Sequence, residues 1–509
     1  MTQEAMDTVL GILRVIGIMF LVLMVFNVII LIHEWGHYLA ARWRGLKVEK
    51  FQIWFGKPLW KKNINGVQYG LGCIPAGGFV ALPQMAPMEA IEGGEGNREK
   101  LPLISPLDKI IVAFAGPLFS LLLAFVFAGV VWAVKSPEPV GATTTEVGYL
   151  IDGMAAKDAG MQVGDVILEV DGAPVSRIGG MVDSVMWAVV SSENEEIQFK
   201  VDRDGEILEI PVEARVPELK GQDGKELGFV GKLFKRPALP SVGILGRSVP
   251  MVGELKENGP AADAGIQPND LLKEVALADG SERTPLTSER VLSDFIKAHP
   301  EAALLLSIER DGEAIEATVT PRHPEVVPAA GLEEGEKHPN DRPMIGIVWD
   351  QTGQTELVRK NPLTQVKNSL LTMKNTIGAV LSPNSKVSAQ HLSGPVGIMR
   401  LYYRLFQHRD GWRLVLWFSV VLNVNLAVLN MLPFPVLDGG HITMALLEWV
   451  RRKPLPVRLL EVVQVSCVLL LFSFIIFVTM KDSGDWVGES GGGTGGEVRF
   501  LPASERATE

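Results

Sequence analysis

The sequence has very little cysteine and no surplus of basic charge. Its 509 residues include two cysteines, Cys73 and Cys467, and the second lies within an apolar run. These two positions exclude a framework of disulfide bonds. The formal net charge of −11 leaves no strongly basic face to neutralise phosphates, so nucleic acid is not expected as a partner.

What the sequence does contain is long apolar runs. Crossing a bilayer takes about 20 mostly apolar residues, and four runs reach that length. They are Val9–Ile32, Ile110–Val134, Trp412–Leu432 and Leu459–Met480. The first exceeds the apolar core of a cleaved signal peptide and leads directly into a polar motif. The sequence therefore predicts an α-helical multi-pass membrane protein with four transmembrane helices.

The placement of lysine and arginine predicts how these helices are oriented. Between Tyr38 and Leu82 several basic residues face a single acid, Glu49. A second basic cluster separates the last two runs and comprises Arg451, Arg452, Lys453 and Arg458. The positive-inside rule places both loops in the cytoplasm. Four crossings then put both termini and the long polar middle on the outer side.

The polar middle contains an internal repeat. Val147–Val175 and Val252–Gly280 each have the pattern of a strand, a turn, a short alanine-rich helix ending at glycine, and another strand. This pattern resembles PDZ domains, which bind extended peptides or C-termini by strand addition. We expect two β-rich α+β PDZ domains, at residues 140–238 and 240–325, that bind ligands or gate access. A β-rich spacer whose groove binds nothing is the alternative.

Two flanking segments have distinct compositions. Within residues 360–410, apolar residues recur at helical spacing, which predicts an amphipathic helix on the outer membrane surface or packed on the second PDZ domain. These residues are Leu363, Val366, Leu370, Met373, Ile377 and Val380. The tail, residues 483–509, is glycine-rich and poor in apolar residues, and this composition predicts disorder.

The chemistry centres on an H-E-x-x-H motif, His33–His37, after the first apolar run. Positions i and i+4 share one face of a helix, so both imidazoles can bind one zinc ion. Glu34 lies beside them and can take a proton from the metal-bound water. Ionisable groups at membrane depth are costly without partners, which favours a functional site over two core histidines.

Catalytic zinc takes three protein ligands and keeps one open position. No residue between His37 and Glu49 fits the third place. The segment Asn430–His441 offers Asp438 directly after an apolar run, among prolines and glycines that break the helix. A carboxylate on irregular backbone at this depth is tolerated where it binds a metal. Asp438 is the preferred third ligand and His441 its rival.

The motif pair, H-E-x-x-H and N-x-x-P-x-P-x-L-D-G at Asn430–Gly439, resembles the site-2 protease family of intramembrane zinc metalloproteases. Four more segments are similar to the regulator of sigma-E proteases within it: Phe55–Trp60, Gly70–Leu82, Ala115–Pro117 and Leu392–Ile398. The likeness covers the chain up to about residue 483. One departure is Ser120, where many members carry asparagine.

The resemblance implies zinc-dependent cleavage of single-span membrane proteins, such as anti-sigma factors or remnant signal peptides. One Zn²⁺ would be held by His33, His37 and Asp438, with Glu34 as the base. The enzyme would act in regulated intramembrane proteolysis in the cell inner membrane, with its active site toward the cytoplasmic side. The PDZ pair would admit substrates already trimmed on the outer side.

Two sets of residues are predicted to hold the unwound substrate strand. Asn425 and Asn430 could hydrogen-bond the substrate backbone or the developing oxyanion, although links between helices would look the same. Short strands at Val67–Gly72 and Gly78–Leu82, in a β-hairpin region at about 50–82, could pair with substrate. Within them the proposed contacts are Gly70, Gly72, Gly78 and Phe79. A plain hairpin is the alternative.

The expected organisation is an N-terminal membrane part at 1–134 and a C-terminal membrane part at 411–481, with the PDZ pair inserted between them. A membrane PDZ scaffold or chaperone with a vestigial zinc site is a competing hypothesis. It need not keep its base, whereas here Glu34 accompanies all three proposed ligands. A metal transporter would require polar residues across several spans, and here they gather near the ends of two.

Overall fold

The computed structural model describes residues 3–85, 104–216, 235–326, 342–350, 354–408, 410–453, 456–491 and 498–500. The chain forms two compact units. The membrane unit comprises Met1–Ser136, Val358–Lys374 and Ser393–Asp482. The second unit comprises Pro137–Leu357, Asn375–Leu392 and Ser483–Glu509.

Within the described residues, four helices are long and apolar enough to cross a membrane, as the sequence predicts. These spans are Val9–Trp43, Pro106–Val134, Gly411–Asn430 and Val462–Gly484. The chain is therefore a multi-pass membrane protein. The first helix, Gln3–Trp43, continues well past Ile32, so the H-E-x-x-H motif lies inside a continuous helix rather than at its end.

Small residues let the spans of the membrane unit approach closely. Gly36 of the first span faces the second span, where an added Cβ would lie 2.5 Å from the carbonyl oxygen of Ala115. The second and third spans share a buried apolar cluster of Ala124, Ala128, Val131, Val420 and Val424. Close packing of this kind holds helices together in lipid, where burial of apolar surface gives no driving force.

Strands Lys50–Ile64 and Val67–Ala81 form an antiparallel hairpin sheet. Residues Lys50–Ile53 pair on one side with Gln68–Leu71 and on the other with Gly78–Ala81. The two short strands predicted here are thus the two ends of one long strand that folds around a common partner. Among the described residues, Gly78–Ala81 has no second strand partner and forms an edge of the sheet.

Two side-chain hydrogen bonds attach the hairpin sheet to the first span. The hydroxyls of Tyr38 and Tyr69 lie 2.7 Å apart. The indole Nε1–H of Trp54 donates to Oδ1 of Asn27. Trp54 has φ 65°, a left-handed conformation that is uncommon for a bulky residue, and it marks the point where the strand kinks.

The second unit contains two modules that have the same strand order. In the first module a four-stranded sheet has the order Ala173–Pro174, Val166–Val170, Glu196–Arg203 and Glu206–Glu213. A separate two-stranded sheet pairs Val147–Leu150 with Ile244–Gly246. The helices are Val140–Thr143, Ala155–Asp158 and Val185–Ser191. Residues 217–234 of the expected first PDZ domain lie outside the described residues.

The second module has the corresponding sheet, in the order Thr284–Pro285, Leu271–Leu277, Leu304–Arg310 and Glu313–Val319. Val252–Leu255 pairs with Ile347–Trp349 in its two-stranded sheet. Its helices are Pro260–Asp263 and Glu289–Ala298. The two copies of the sequence repeat therefore fold alike, each around its own apolar core.

The same buried ion pair recurs in both modules. Arg203 contacts both carboxylate oxygens of Asp165, at 2.7 and 2.8 Å. Arg310 contacts both oxygens of Asp270, at 2.7 Å each. The two carboxylates are almost fully buried. A bidentate arginine is well suited to a buried carboxylate because it satisfies both oxygens in one plane.

The amphipathic segment is helical in two parts. Its helices are Pro362–Leu381 and Pro395–Gln407. The first buries Gln365, and Nε2 of that residue donates to the carbonyl of Ala128 in the second span, at 3.0 Å. Leu363 is 69% exposed. The described beginning of this helix thus packs the polar Gln365 on the second span together with the predicted apolar residue Val366.

For the described part of the tail the structure contradicts the expected disorder, which stays a prediction for the remainder. The last helix runs from Val457 to Gly491, and Val498–Arg499 forms a strand. Phe500 is 6% exposed. One buried aromatic side chain thus packs against the protein from a glycine-rich segment. Residues 492–497 and 501–509 lie outside the described residues.

Candidate metal centre

The first span brings His33 and His37 together. The helical repeat places their rings on one face, edge to face, with the two Nε2 atoms 3.3 Å apart. The Nδ1–H of His37 donates to the carbonyl oxygen of Val112, at 2.8 Å. Nδ1 of His33 lies 2.9 Å from the hydroxyl of Ser120. Because Nδ1 is engaged on each ring, both Nε2 atoms are free to face a metal.

Asp438 reaches the histidines from the far end of the sequence. The third span ends at Asn430, and a short loop leads to the helix Asp438–Arg451. Oδ2 of Asp438 lies 3.3 Å from Nε2 of His33, and Oδ1 lies 3.3 Å from Nε2 of His37. The loop folds back closely on itself at Gly439, where a Cβ would lie 2.5 Å from the carbonyl oxygen of Leu432. A residue with a side chain would not fit there.

The three side chains fit a zinc ion. Among the described residues they form the one group of His, Cys, Asp or Glu close enough to share a metal. Tetrahedral zinc with ligands at about 2.0–2.1 Å separates its ligand atoms by about 3.3 Å. The two Nε2 atoms are 3.3 Å apart, and each lies 3.3 Å from one of the two carboxylate oxygens of Asp438. Oδ2 of Asp438 is buried with no hydrogen bond from the described residues. Such an atom is costly unless a cation compensates it.

The second span supplies no ligand but shapes the centre. A Cβ at Gly116 would overlap Nε2 of His37 and lie 2.9 Å from Cε1 of His33. Ser120, one turn further along, is fully buried beside His33. Sequence reasoning missed both roles. The available signals were the Ala115–Pro117 motif and the serine that replaces the family asparagine, and neither indicates what it contacts.

A cavity of about 380 Å³ opens beside the three candidate ligands. Glu34 lines it, and the edge of the hairpin sheet forms one wall. A Cβ at Gly78 would lie 3.7 Å from Cγ of Glu34. Phe79 stacks on Phe55 with ring centroids 6.1 Å apart. The remaining lining residues include Ile30, Val80, Leu82, Met85, Leu426, Asn430, Val436 and His441.

The predicted substrate contacts divide into two groups. Asn430, Gly78 and Phe79 line the cavity, and Nδ2 of Asn430 lies 3.4 Å from Nε2 of His33. Asn425, Gly70 and Gly72 do not line it. Asn425 precedes Asn430 by five residues, which turns it about 140° around the helix. Gly70 lies in an inner part of the sheet, paired with Gln52 and Lys61.

His441, the rival ligand, lines the cavity but is not in the group that could share a metal. It follows Asp438 by three residues on the same helix. The carboxylate at the first position of that helix, rather than the imidazole one turn later, meets His33 and His37.

Comparison with known proteins agrees with this geometry. Peptidase family M50 matches residues 20–474. A protein of Neisseria meningitidis named as a zinc metalloprotease is 28% identical over 453 residues, covering 85% of this chain and 92% of the relative. The regulator of sigma-E protease of Salmonella typhimurium is 26% identical over 467 residues, covering 85% and 90%.

The regulator of sigma E protease of Haemophilus influenzae is 26% identical over 468 residues, covering 89% of this chain and 96% of the relative. The family match spans the helices that carry His33, His37 and Asp438 as well as the modules between them. The chain therefore belongs to peptidase family M50, the site-2 protease family, and is a zinc metalloprotease.

Proposed function

We propose that this chain is an intramembrane endopeptidase that cleaves single-span membrane proteins, with its zinc held by His33, His37 and Asp438. The observation that carries the proposal is the cluster of His33, His37 and Asp438, in which the two Nε2 atoms lie 3.3 Å apart and each lies 3.3 Å from a carboxylate oxygen. Two of these ligands lie on a helix long enough to cross a membrane, and the third follows another such helix. Peptide bonds of membrane-embedded substrates would therefore be within reach.

The roles of the protein groups follow from their positions. When bound, zinc supplies a Lewis acid that polarises the scissile carbonyl and lowers the pKa of water. Glu34, which faces the same cavity, takes a proton from the attacking water and delivers it to the leaving amide nitrogen. Nδ2 of Asn430 donates toward the carbonyl oxygen as negative charge develops there. Ser120 and the Val112 carbonyl keep the imidazoles in place.

Substrate must be unwound before it can be cut, because a transmembrane helix bonds all its carbonyls internally. Gly78–Ala81 is a strand edge beside Glu34 that has no second strand partner among the described residues. An extended substrate strand would add to this edge by backbone hydrogen bonds. Phe79 would contact a substrate side chain, and the absence of a side chain at Gly78 leaves room beside the catalytic carboxylate.

The modules are proposed to be PDZ domains that select substrates. A cavity of about 590 Å³ is lined by helix Val185–Ser191 and strand Ile244–Gly246 of the first module and also by residues of the second module, among them Ser288 and Trp349. An added strand would lie between that helix and that strand. The basic loops favour an inner-membrane protein with its modules and termini on the periplasmic side. Two relatives are named for sigma-E regulation. This supports substrates of the anti-sigma factor type, with remnant signal peptides as a second class.

The test is cleavage of a tagged single-span substrate in membranes by the wild type and by Glu34→Gln, with zinc measured in both. The variant should keep one zinc per chain and lose about 10²–10⁴-fold in rate, because the ligands remain but the base does not. Glu49→Gln, an exposed carboxylate outside the cavity, is the matched control. Equal cleavage by wild type and Glu34→Gln, or a wild type without zinc, would favour a scaffold with a vestigial site.

A further inference from the structure

The C-terminal segment Val498–Phe500 lies on the second module. Val498–Arg499 pairs antiparallel with Glu325–Val326. Phe500 is 6% exposed, and the guanidinium of Arg322 lies 5.9 Å from the centre of its ring. The segment therefore adds a short strand to the module and inserts one aromatic side chain.

A comparison with the first module explains why the second module has room for the Phe500 side chain. There, a Cβ at Gly243 would lie 2.9 Å from Cγ of Met154, so the methionine covers the glycine. In the second module Gly346 corresponds to Gly243, and Gly259 stands where Met154 would be. A Cβ at Gly346 would lie 2.9 Å from Cε2 of Phe500. Phe500 thus fills the space that the missing side chain at Gly259 leaves.

The backbone correspondence between the modules is close at this point. The amide of Ala156 donates to Val242, and that of Ala261 donates to Ile345, each at 2.9 Å. Both modules also place an arginine at the equivalent position.

Arg215 donates to the carbonyl of Gly153 and pairs with Asp158. Arg322 donates to the carbonyl of Asn258 and pairs with Asp263. The frame is therefore the same in both modules. At this point the two modules differ in one side chain: the first module has Met154, and the second has Gly259 in its place.

We propose that the space between Gly259 and Gly346, the Phe500 pocket, is a docking site for the chain's own C-terminal strand. Phe500 anchors the strand, and backbone pairing with Glu325–Val326 sets its direction. The segment is tethered to the same chain, so its high effective concentration compensates for a small contact. The partner chemistry is an extended segment with an aromatic residue directly after two strand residues.

Docking of the tail also affects substrate selection by the modules, an inference that rests on the proposed function. The segment is covalently continuous with the helix of the fourth span, Val457–Gly491. A docked tail therefore ties the second module to that helix through the connecting residues 492–497. If the modules select trimmed substrates, release of the tail weakens that selection.

Docking is tested by a disulfide between Val326→Cys and Val498→Cys in the full-length protein in membranes, with Cys73 and Cys467 replaced by serine. Paired residues on antiparallel strands lie about 4.5–5.5 Å apart at Cα, within disulfide range. We expect the cross-link to form, and to fall about tenfold when Phe500→Ala removes the anchor. Phe500→Leu, which keeps an apolar side chain, should retain most of it.

Gly259→Met is the reciprocal variant, because it fills the pocket as Met154 does in the first module. It should also lower the cross-link about tenfold without unfolding the module. If Gly259→Met does not fold, Phe500→Ala decides alone. A parent that does not cross-link, or a cross-link unchanged by Phe500→Ala, would overturn the docking site.

The consequence for selection is measured as the ratio of cleavage of a trimmed to an untrimmed single-span substrate. We expect Phe500→Ala to lower this ratio about fivefold. A lost cross-link with an unchanged ratio would overturn the restraint while leaving the docking site in place. Failure of the protease proposal itself would show separately, as equal cleavage by the wild type and Glu34→Gln.

Discussion

The hydroxyl of Ser120 lies 2.9 Å from Nδ1 of His33, although the two residues are 87 positions apart. The same span presents the carbonyl of Val112 to Nδ1 of His37, at 2.8 Å. A helix that contributes no candidate ligand thus orients both histidines. Partners of this kind typically change metal affinity or activity about 10–100-fold when removed.

Replacement of Ser120 should weaken the centre without removing a ligand. For Ser120→Ala we expect about a 10–100-fold loss in zinc affinity or cleavage rate, because His33 loses the group that fixes its ring. Ser120→Asn should retain activity, since its amide can also reach Nδ1. Zinc affinity by chelator competition and single-turnover cleavage measure the two effects.

Ser473→Ala is the control for this change. Its hydroxyl donates within its own helix, to the carbonyl of Leu469. A loss of zinc in Ser473→Ala equal to that in Ser120→Ala would contradict the positioning role.

Gly116 should tolerate no side chain. A Cβ there overlaps His37 and crowds His33, so Gly116→Ala must displace an imidazole or separate the first two spans. We expect about a tenfold or greater loss of zinc affinity, because a ligand would leave its place. Gly129→Ala on the same helix is the control, since nothing lies within 4 Å of its Cβ position. Equal zinc binding by both variants would show that Gly116 is not needed.

Asn430 and Asn425 should differ in effect although they lie on the same helix. Asn430→Leu removes the amide that lines the cavity, and we expect about 10²–10³-fold slower turnover with zinc and folding retained. Asn425→Leu should leave turnover near the wild-type value, because Asn425 is not among the lining residues. Cleavage of a membrane-anchored reporter measures both. Unchanged cleavage by Asn430→Leu would exclude an oxyanion contact.

The repeated ion pair should stabilise each module. Asp270→Ala leaves Arg310 without its buried partner, and we expect the second module to lose about 3 kcal/mol in free energy of unfolding. Hydrogen exchange of strand Leu304–Arg310 in the full chain measures this loss. Lys273→Ala breaks an exposed pair with Glu309 and should cost less than about 1 kcal/mol. Similar protection in both variants would contradict the prediction.

Much of the architecture could be predicted because its signals are local. A span needs only a sufficient apolar run, and the runs around Val9–Ile32 and Ile110–Val134 meet that need within their own residues. The two modules were visible as a repeat because equivalent strands and turns need equivalent side chains. His33 and His37 could be paired because the helical period alone puts them on one face.

Other features escaped prediction because they depend on which surfaces meet. The polar Gln365 is buried because a carbonyl of the second span accepts its hydrogen bond, and no pattern along its own helix shows that carbonyl. Phe500 is ordered because Gly259 leaves a space in a distant module. Composition alone made the tail resemble a disordered segment.

The sequence by itself determined the four spans, the H-E-x-x-H face and the choice of Asp438 as a candidate, since each follows from local periodicity or a short motif. Only the tertiary structure decided that Ser120 and Gly116 shape the centre and that Asn430, rather than Asn425, lines it. It also decided that Asp438, rather than His441, meets the histidines. These outcomes depend on distances between helices that are remote in the chain, and packing sets those distances.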